Sequence, residues 1–259
     1  MIELSFHKDG AIAQFTLARP PANAWTPGML AQMREYVGQL NANARVRAIV
    51  VTGQGAKFFS AGADLNQFAE GSKESALIAA SAFGTAMEAL SKARPVVIAA
   101  INGFAMGGGL ECALSCDIRI AETHAKMALP ELKVGLLPAG CGTQTLPWLV
   151  GEGWAKRMIL TGETVDAATA LRIGLVEEVV ESGKSLEFAL EMAERVLKTS
   201  PQANVFSKQL IHQARNGVPR TAALAVERER FVDLFSGPDQ VEGVNAFLEK
   251  RDPAWKFEW

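Results

Sequence analysis

The chain has 259 residues, 49% of them hydrophobic, with Lys+Arg 26 against Asp+Glu 28 for a net charge of -2. That length and apolar content suit one large folded unit with a sizeable core and exclude a disordered chain. The near-balanced charge gives no sign of a nucleic-acid or membrane surface, and no run reaches the roughly 18 apolar residues needed to span a bilayer.

The first ten residues, MIELSFHKDG, hold no apolar block of signal-peptide length. Cys112, Cys116 and Cys141 are an odd set without framework spacing, so free thiols in a reducing compartment are expected. A soluble cytosolic protein is the expectation, with a matrix-type organelle as the alternative if a targeting segment has been removed.

In chain order, IELSF and AIAQFTL alternate apolar with polar or small residues around Asp9-Gly10, which predicts a hairpin. Thr26-Pro27 supplies a cap and a first-turn proline for a helix through about Leu40. VRAIVVTG reads as a strand, Ser72 to Leu90 as a helix, and PVVIAAING as a buried strand stopped at Asn102-Gly103. Leu110 to Cys116 reads as a short helix, DIRIA as a strand, and Pro138 to Gly142 as a turn opening a helix to about Val150. Strands separated by helices predict an α/β architecture. After Val180 four amphipathic helices are predicted, near 185 to 199, 202 to 215, 220 to 235 and 238 to 250, punctuated by Pro and Gly. The division is a core over 1–195 and a helical region over 196–259, whose apolar faces need a partner surface.

Two turns attract attention. GFAMGGG is neither a dinucleotide fingerprint nor a P-loop, so no nucleotide cofactor is expected. Glycines between a strand and a helix start do, however, leave peptide N–H groups open to negative charge. SAGAD, residues 60 to 64, is a second small-residue turn after an extended run, so two backbone donors for an oxyanion are conceivable. Each turn alone is equally well read as plain loop geometry. Glu111 reads either as a first-turn acid favoured by the helix dipole or as a site candidate, since it sits among Leu110, Cys112, Ala113 and Leu114, where an unpaired carboxylate is costly to bury. Glu131 follows Pro130 and is also a simple helix-start signal. Two acids, each just after a turn, suit a general acid/base pair. His7, His124 and His212 are dispersed without metal-ligand spacing, Cys112 reads as a small core residue, and Asp117 as a cap or turn residue.

These blocks together resemble the crotonase superfamily, the enoyl-CoA hydratase/isomerase family. The resemblance is carried by FFSAGADL, RPVVIAAINGFAMGGGLECALSCDIRIA, ALPELKVGLLPAGCGTQTLPWLVG, TGETVDAATALRIGLVEEVV and FLEKRDPAW, in that order over nearly the whole chain. It implies a right-handed spiral of repeated ββα units with a C-terminal helical trimerisation region, giving a trimer or a dimer of trimers. It further implies that the peptide N–H groups of Ala63 and Gly108 hold an acyl-CoA thioester oxygen, that Glu111 activates water, and that Glu131 delivers a proton to C2. No cofactor is implied, because coenzyme A is part of the substrate. The resemblance places the adenosine end near Ala61, Gly62 and Asp64, approached by Phe247 and Lys250 of a neighbouring subunit. The acyl chain is expected along Leu65, Phe68, Phe83 and Met87.

Two departures bear on the acyl chain. Ala139-Gly140-Cys141 stands where relatives often have Gly-Ala-Gly, and Trp25 replaces a smaller aliphatic residue. The reading is an enoyl-CoA hydratase. Its alternatives are a 3,2-enoyl-CoA isomerase or a hydratase of a specialised acyl-CoA, against which retention of Glu111 argues for water addition. A non-catalytic RNA-binding or scaffold role is disfavoured by the absence of a Lys/Arg-rich block.

Overall fold

The computed structural model describes residues 1–69 and 71–256. β1 (Ile2–His7) and β2 (Ile12–Leu17) form the antiparallel hairpin, whose turn puts Lys8, Asp9 and Gly10 all at positive φ. α1 (Pro27–Ala42) starts as its sequence predicts: the Thr26 side chain accepts the Met29 N–H at 3.2 Å and Pro27 occupies the first turn.

From there the chain repeats one unit. A strand joins a long sheet, a short strand joins a second sheet, and a helix returns. β3 (Ala48–Gly53), β4 (Phe58–Ser60) and α2 (Lys73–Ser91) form the first unit, with a single 3₁₀ turn over Leu65–Phe68 before the helix. β5 (Val96–Ile101), β6 (Phe104–Met106) and α3 (Gly108–Leu114) form the second. β7 (Ile118–Glu122), β8 (Lys126–Ala128), a 3₁₀ turn at Glu131–Val134 and α4 (Gly142–Thr161) form the third. The first sheet has the order β1-β2-β3-β5-β7-β10, closed by β10 (Glu178–Val180) and parallel from β2 onward. The second has the order β4-β6-β8-β9, where β9 (Val165–Asp166) leads into α5 (Ala167–Ile173).

The long sheet is buried on both faces, which is why its central strands read as unbroken apolar runs. Ile49, Val51, Val97 and Ala99 join the main core, while Val50, Ile98, Ala100 and Ile120 face α6 (Ser185–Leu197) through Ala189 and Ala193. Beyond it lie α7 (Pro201–Arg215), α8 (Arg220–Asp233) and α9 (Pro238–Glu249). α7 is tied to the core by Lys208, whose Nζ donates to Asp117 at 2.6 Å and to the Pro95 carbonyl at 2.9 Å. Asp117 also accepts the Val97 N–H at 2.7 Å, so the turn residue of the sequence reading is an anchor as well. No helix among the described residues is long and apolar enough to cross a membrane.

The structure corrects several boundaries. α3 begins at Gly108 rather than Leu110 and ends at Leu114, two residues before Cys116. α4 continues to Thr161 past a kink at Gly151 (φ 76°), where the local pattern stops at Val150. The strands of the second sheet, which the ββα units of the resemblance require, do not show in the residue pattern, because at two or three residues they are too short to show a period.

Candidate active site

One cavity of about 430 Å³ opens where the ends of the three units meet. The 61–65 turn lines one side through Ala61, Gly62, Ala63 and Leu65, the 3₁₀ turn adds Phe68, and α2 contributes Phe83. Gly108 and Glu111 of α3 form the floor, and Glu131 with Ala139 comes from the third unit.

The two small-residue turns touch each other. Gly62 is at φ +92°, and a Cβ built on it would lie 2.7 Å from the Met106 carbonyl oxygen and 3.3 Å from the Gly108 nitrogen. No residue but glycine brings the two backbones so close. Trp25 bridges to Ala63 in parallel register: its N–H donates to the Gly62 carbonyl at 2.8 Å and its carbonyl accepts the Asp64 N–H at 3.1 Å. In that pattern the flanking residues bond to the partner, and the N–H of Ala63 itself points the other way. Gly107, at φ 52°, makes the strand-to-helix turn, so Gly108 is the first helical residue and its N–H precedes the first intrahelical acceptor.

Glu111 is 3% exposed. Its Oε1 accepts three backbone N–H groups, from Gly140 at 2.8 Å, Cys141 at 2.9 Å and Gly142 at 2.8 Å. The residue that looks uncompensated in its own segment is therefore held by a turn some 30 positions away, and three charge-assisted hydrogen bonds offset its burial. A Cβ on Gly140 would lie 2.9 Å from Glu111 Oε2, so this turn closes tightly over the carboxylate.

Glu131 is treated differently. Its Oε2 is buried with no hydrogen-bond partner among the described residues, and its Oε1 lies 2.9 Å from where a Cβ on Gly107 would sit. Burial pushes its carboxyl up to about 7, with a bond from its own backbone opposing and the Glu111 charge reinforcing the shift. The two acids share one cavity with opposite environments, one saturated with donors and one starved of them, which is how acid and base roles are separated.

Other expected residues fall elsewhere. Met87, one turn along α2 from Phe83 and on the same helix face, is fully buried in the main core and does not line the cavity. Asp64 points away: it caps the 3₁₀ turn through the Asn66 N–H and pairs with Arg19 Nη2 at 2.7 Å. Trp25 is fully buried and does not reach the cavity, whereas Ala139 lines it. Phe247 is 82% exposed on α9, and Lys250 caps that helix at φ 55°, both outside this cavity. Cys112 is a buried core residue, its thiol pushed well above the ordinary range first by burial. No cluster of metal-ligating side chains occurs among the described residues.

The sequence reading missed the amide cradle of residues 140–142 and the outer wall of Val134, Leu136 and Leu137. The only local signal for the cradle was the density of small residues after Pro138. The wall carried a sharper one: LKVGLLP is more apolar than an exposed loop requires.

Comparison with known proteins finds relatives along almost the whole chain. Residues 7–258 match the family model for enoyl-CoA hydratase/isomerase. The chain is 41% identical over 249 residues to the short-chain-enoyl-CoA hydratase of Clostridium acetobutylicum, covering 94% of each protein. It is 37% identical to the 2,3-dehydroadipyl-CoA hydratase of Escherichia coli over 99% of both. Among solved structures, Pseudomonas aeruginosa DspI superposes with a TM-score of 0.96 at 59% identity, over 98% of this chain and 96% of that one. An enoyl-CoA hydratase from Bacillus anthracis gives 0.95 at 36% identity, over 99% of both chains. By this match along almost its full length, the chain belongs to the enoyl-CoA hydratase/isomerase family, the crotonase superfamily.

Proposed function

We propose that the protein is an enoyl-CoA hydratase, adding water across the C2=C3 bond of a trans-2-enoyl-CoA to give a 3-hydroxyacyl-CoA. The observation that carries this reading is the placement of Glu111 and Glu131 on one cavity, beside two touching backbone turns. Hydration needs three services. Charge moving onto the thioester oxygen must be stabilised, and the N–H groups of Ala63 and Gly108 are assigned to it. Water must lose a proton as it attacks C3, and the Glu111 carboxylate takes that proton on Oε2 while Oε1 stays anchored to its three amides. C2 must receive a proton, and Glu131, whose carboxyl sits near 7, donates it. At the end Glu111 holds a proton and Glu131 has lost one, so a transfer between the two resets the site.

Coenzyme A enters with the substrate, and no separate cofactor takes part. Its adenosine end is assigned to the Ala61–Asp64 turn, with Phe247 and Lys250 supplied by a neighbouring subunit in a trimer or dimer of trimers. In support, α8 and α9 leave Phe231, Val232, Val241 and Phe247 exposed, an apolar surface that assembly would cover. The core spans residues 1–195 in this reading and the assembly region 196–259. The test is loss of the ultraviolet absorbance of the conjugated enoyl thioester, followed over acyl-CoA substrates of graded length and branching. Disappearance of the absorbance with formation of the 3-hydroxyacyl product is expected. Conversion of a 3-enoyl-CoA to a 2-enoyl-CoA without any hydration would replace this reading with isomerisation.

A further inference from the structure

The donor assigned at Ala63 sits next to the most freely rotating residue type, and something must aim it. The Ala63 N–H lies in the peptide plane shared with the Gly62 carbonyl, and that carbonyl is fixed by the Trp25 N–H at 2.8 Å. The preceding plane carries the Gly62 N–H, which donates to Ser60 Oγ at 3.2 Å. The Ser60 hydroxyl in turn donates to the Asn23 carbonyl at 2.8 Å. Both planes flanking Gly62 are thus clamped, one by backbone and one by a side chain.

Ser60 has a second contact. A Cβ on Gly109 would fall 2.3 Å from the Ser60 carbonyl oxygen and 2.9 Å from its Cβ, so Ser60 packs directly against the residue after Gly108. It therefore touches the segments of both assigned donors. Its own support is rigid. Asn23 is 1% exposed, adopts φ 53°, and donates its carboxamide to the carbonyls of Gln54 at 3.0 Å and Phe58 at 2.9 Å. Ser60 is fully buried.

We propose that Ser60, held by Asn23, is a positioning residue for the thioester site: its hydroxyl fixes the Gly62 backbone and through it the aim of the Ala63 N–H. This rests on the assignment of Ala63 and Gly108 as the oxyanion donors. Removing the hydroxyl frees Gly62 about its φ, the torsion that glycine resists least. The donor then meets the transition state off its optimum, where small misplacements are costly.

The test is Ser60→Ala, with Ser60→Cys keeping a longer and weaker hydrogen-bonding group as the milder variant. Each is compared with the wild type in crotonyl-CoA hydration and in the infrared carbonyl stretch of bound butyryl-CoA isotope-labelled at the thioester. The wild type should lower that stretch relative to the free ligand in water. Ser60→Ala should lower it less and reduce kcat by about 10- to 100-fold, with KM changed by no more than about threefold. Ser60→Cys should fall between, and it supports the same comparison if the alanine variant does not fold. A variant whose stretch matches the wild type overturns the inference, whatever its kcat. A wild-type stretch no lower than that of the free ligand instead overturns the donor assignment on which the inference stands.

Discussion

Replacing Glu131 with Gln should weaken the reaction and strengthen the fold. In the folded protein this carboxyl titrates near 7 against an ordinary 4.5, chiefly because it is buried. Between those values the native state keeps a proton that the unfolded chain has released, so stability is full below about 4.5, falls as pH rises, and is lost once pH passes about 7. A shift of that size corresponds to about 3 kcal/mol, which partial solvent access to the side chain reduces to roughly 2 kcal/mol. Glutamine carries no proton to lose and escapes this decline. Urea denaturation of both proteins, at fixed protein concentration from about pH 5 to about pH 8, should therefore show the variant gaining on the wild type by roughly 2 kcal/mol as pH rises. The same variant should lose about 10²- to 10⁴-fold in hydration turnover, and wild-type kcat/KM for hydration should fall about tenfold per pH unit above about 7. A stability difference that stays constant across this range would refute the burial argument for Glu131.

Three further outcomes are expected. Glu111→Gln should reduce hydration turnover by about 10²- to 10⁴-fold while acyl-CoA binding, measured by calorimetry, is largely kept. Gly140→Ala places a methyl 2.9 Å from Glu111 Oε2 and 3.1 Å from Met87 Cγ, so the carboxylate must shift; kcat should drop about 10²-fold with a smaller change in KM. Asp117→Asn leaves Lys208, whose side chain is 11% exposed, without its charge partner and should lower the stability measured by denaturation by about 3 kcal/mol. Because burial raises the Asp117 carboxyl while His212, Lys208 and the Val97 N–H together hold it below its ordinary value, the stability it supplies is present at neutral pH and disappears as acid protonates it.

Much of the fold was legible because its signals are local. The Thr26 and Ser72 caps, the prolines at 27, 201 and 238, and the turn at Asp9-Gly10 all act within a few residues of themselves. The buried strand at 96–101 announced itself as an unbroken apolar run. The two acids and the two small-residue turns were also visible, because a carboxylate in apolar surroundings and a cluster of glycines are unusual wherever they occur. The family resemblance supplied their roles.

What only the tertiary structure decided is which of these groups meet and what each one feels. Leu65, Phe68, Phe83 and Met87 are equivalent as apolar residues, yet three line the cavity and Met87 is sealed in the main core, since the choice depends on which neighbouring segments pack over each one. Asp64 adjoins the site in sequence and faces away from it in space, while Trp25, far off in sequence, reaches Ala63 through its backbone and is buried outside the cavity. The two glutamates look alike as letters, and they differ because the 140–142 turn folds back onto Glu111 and leaves Glu131 Oε2 without a donor. The sequence by itself determined the elements and the chemical groups, whose preferences are written in neighbouring residues. The base and acid roles proposed for the two glutamates rest on burial and hydrogen bonds between segments far apart in the chain, which exist only once the parallel strands have paired and brought the three turns to one place.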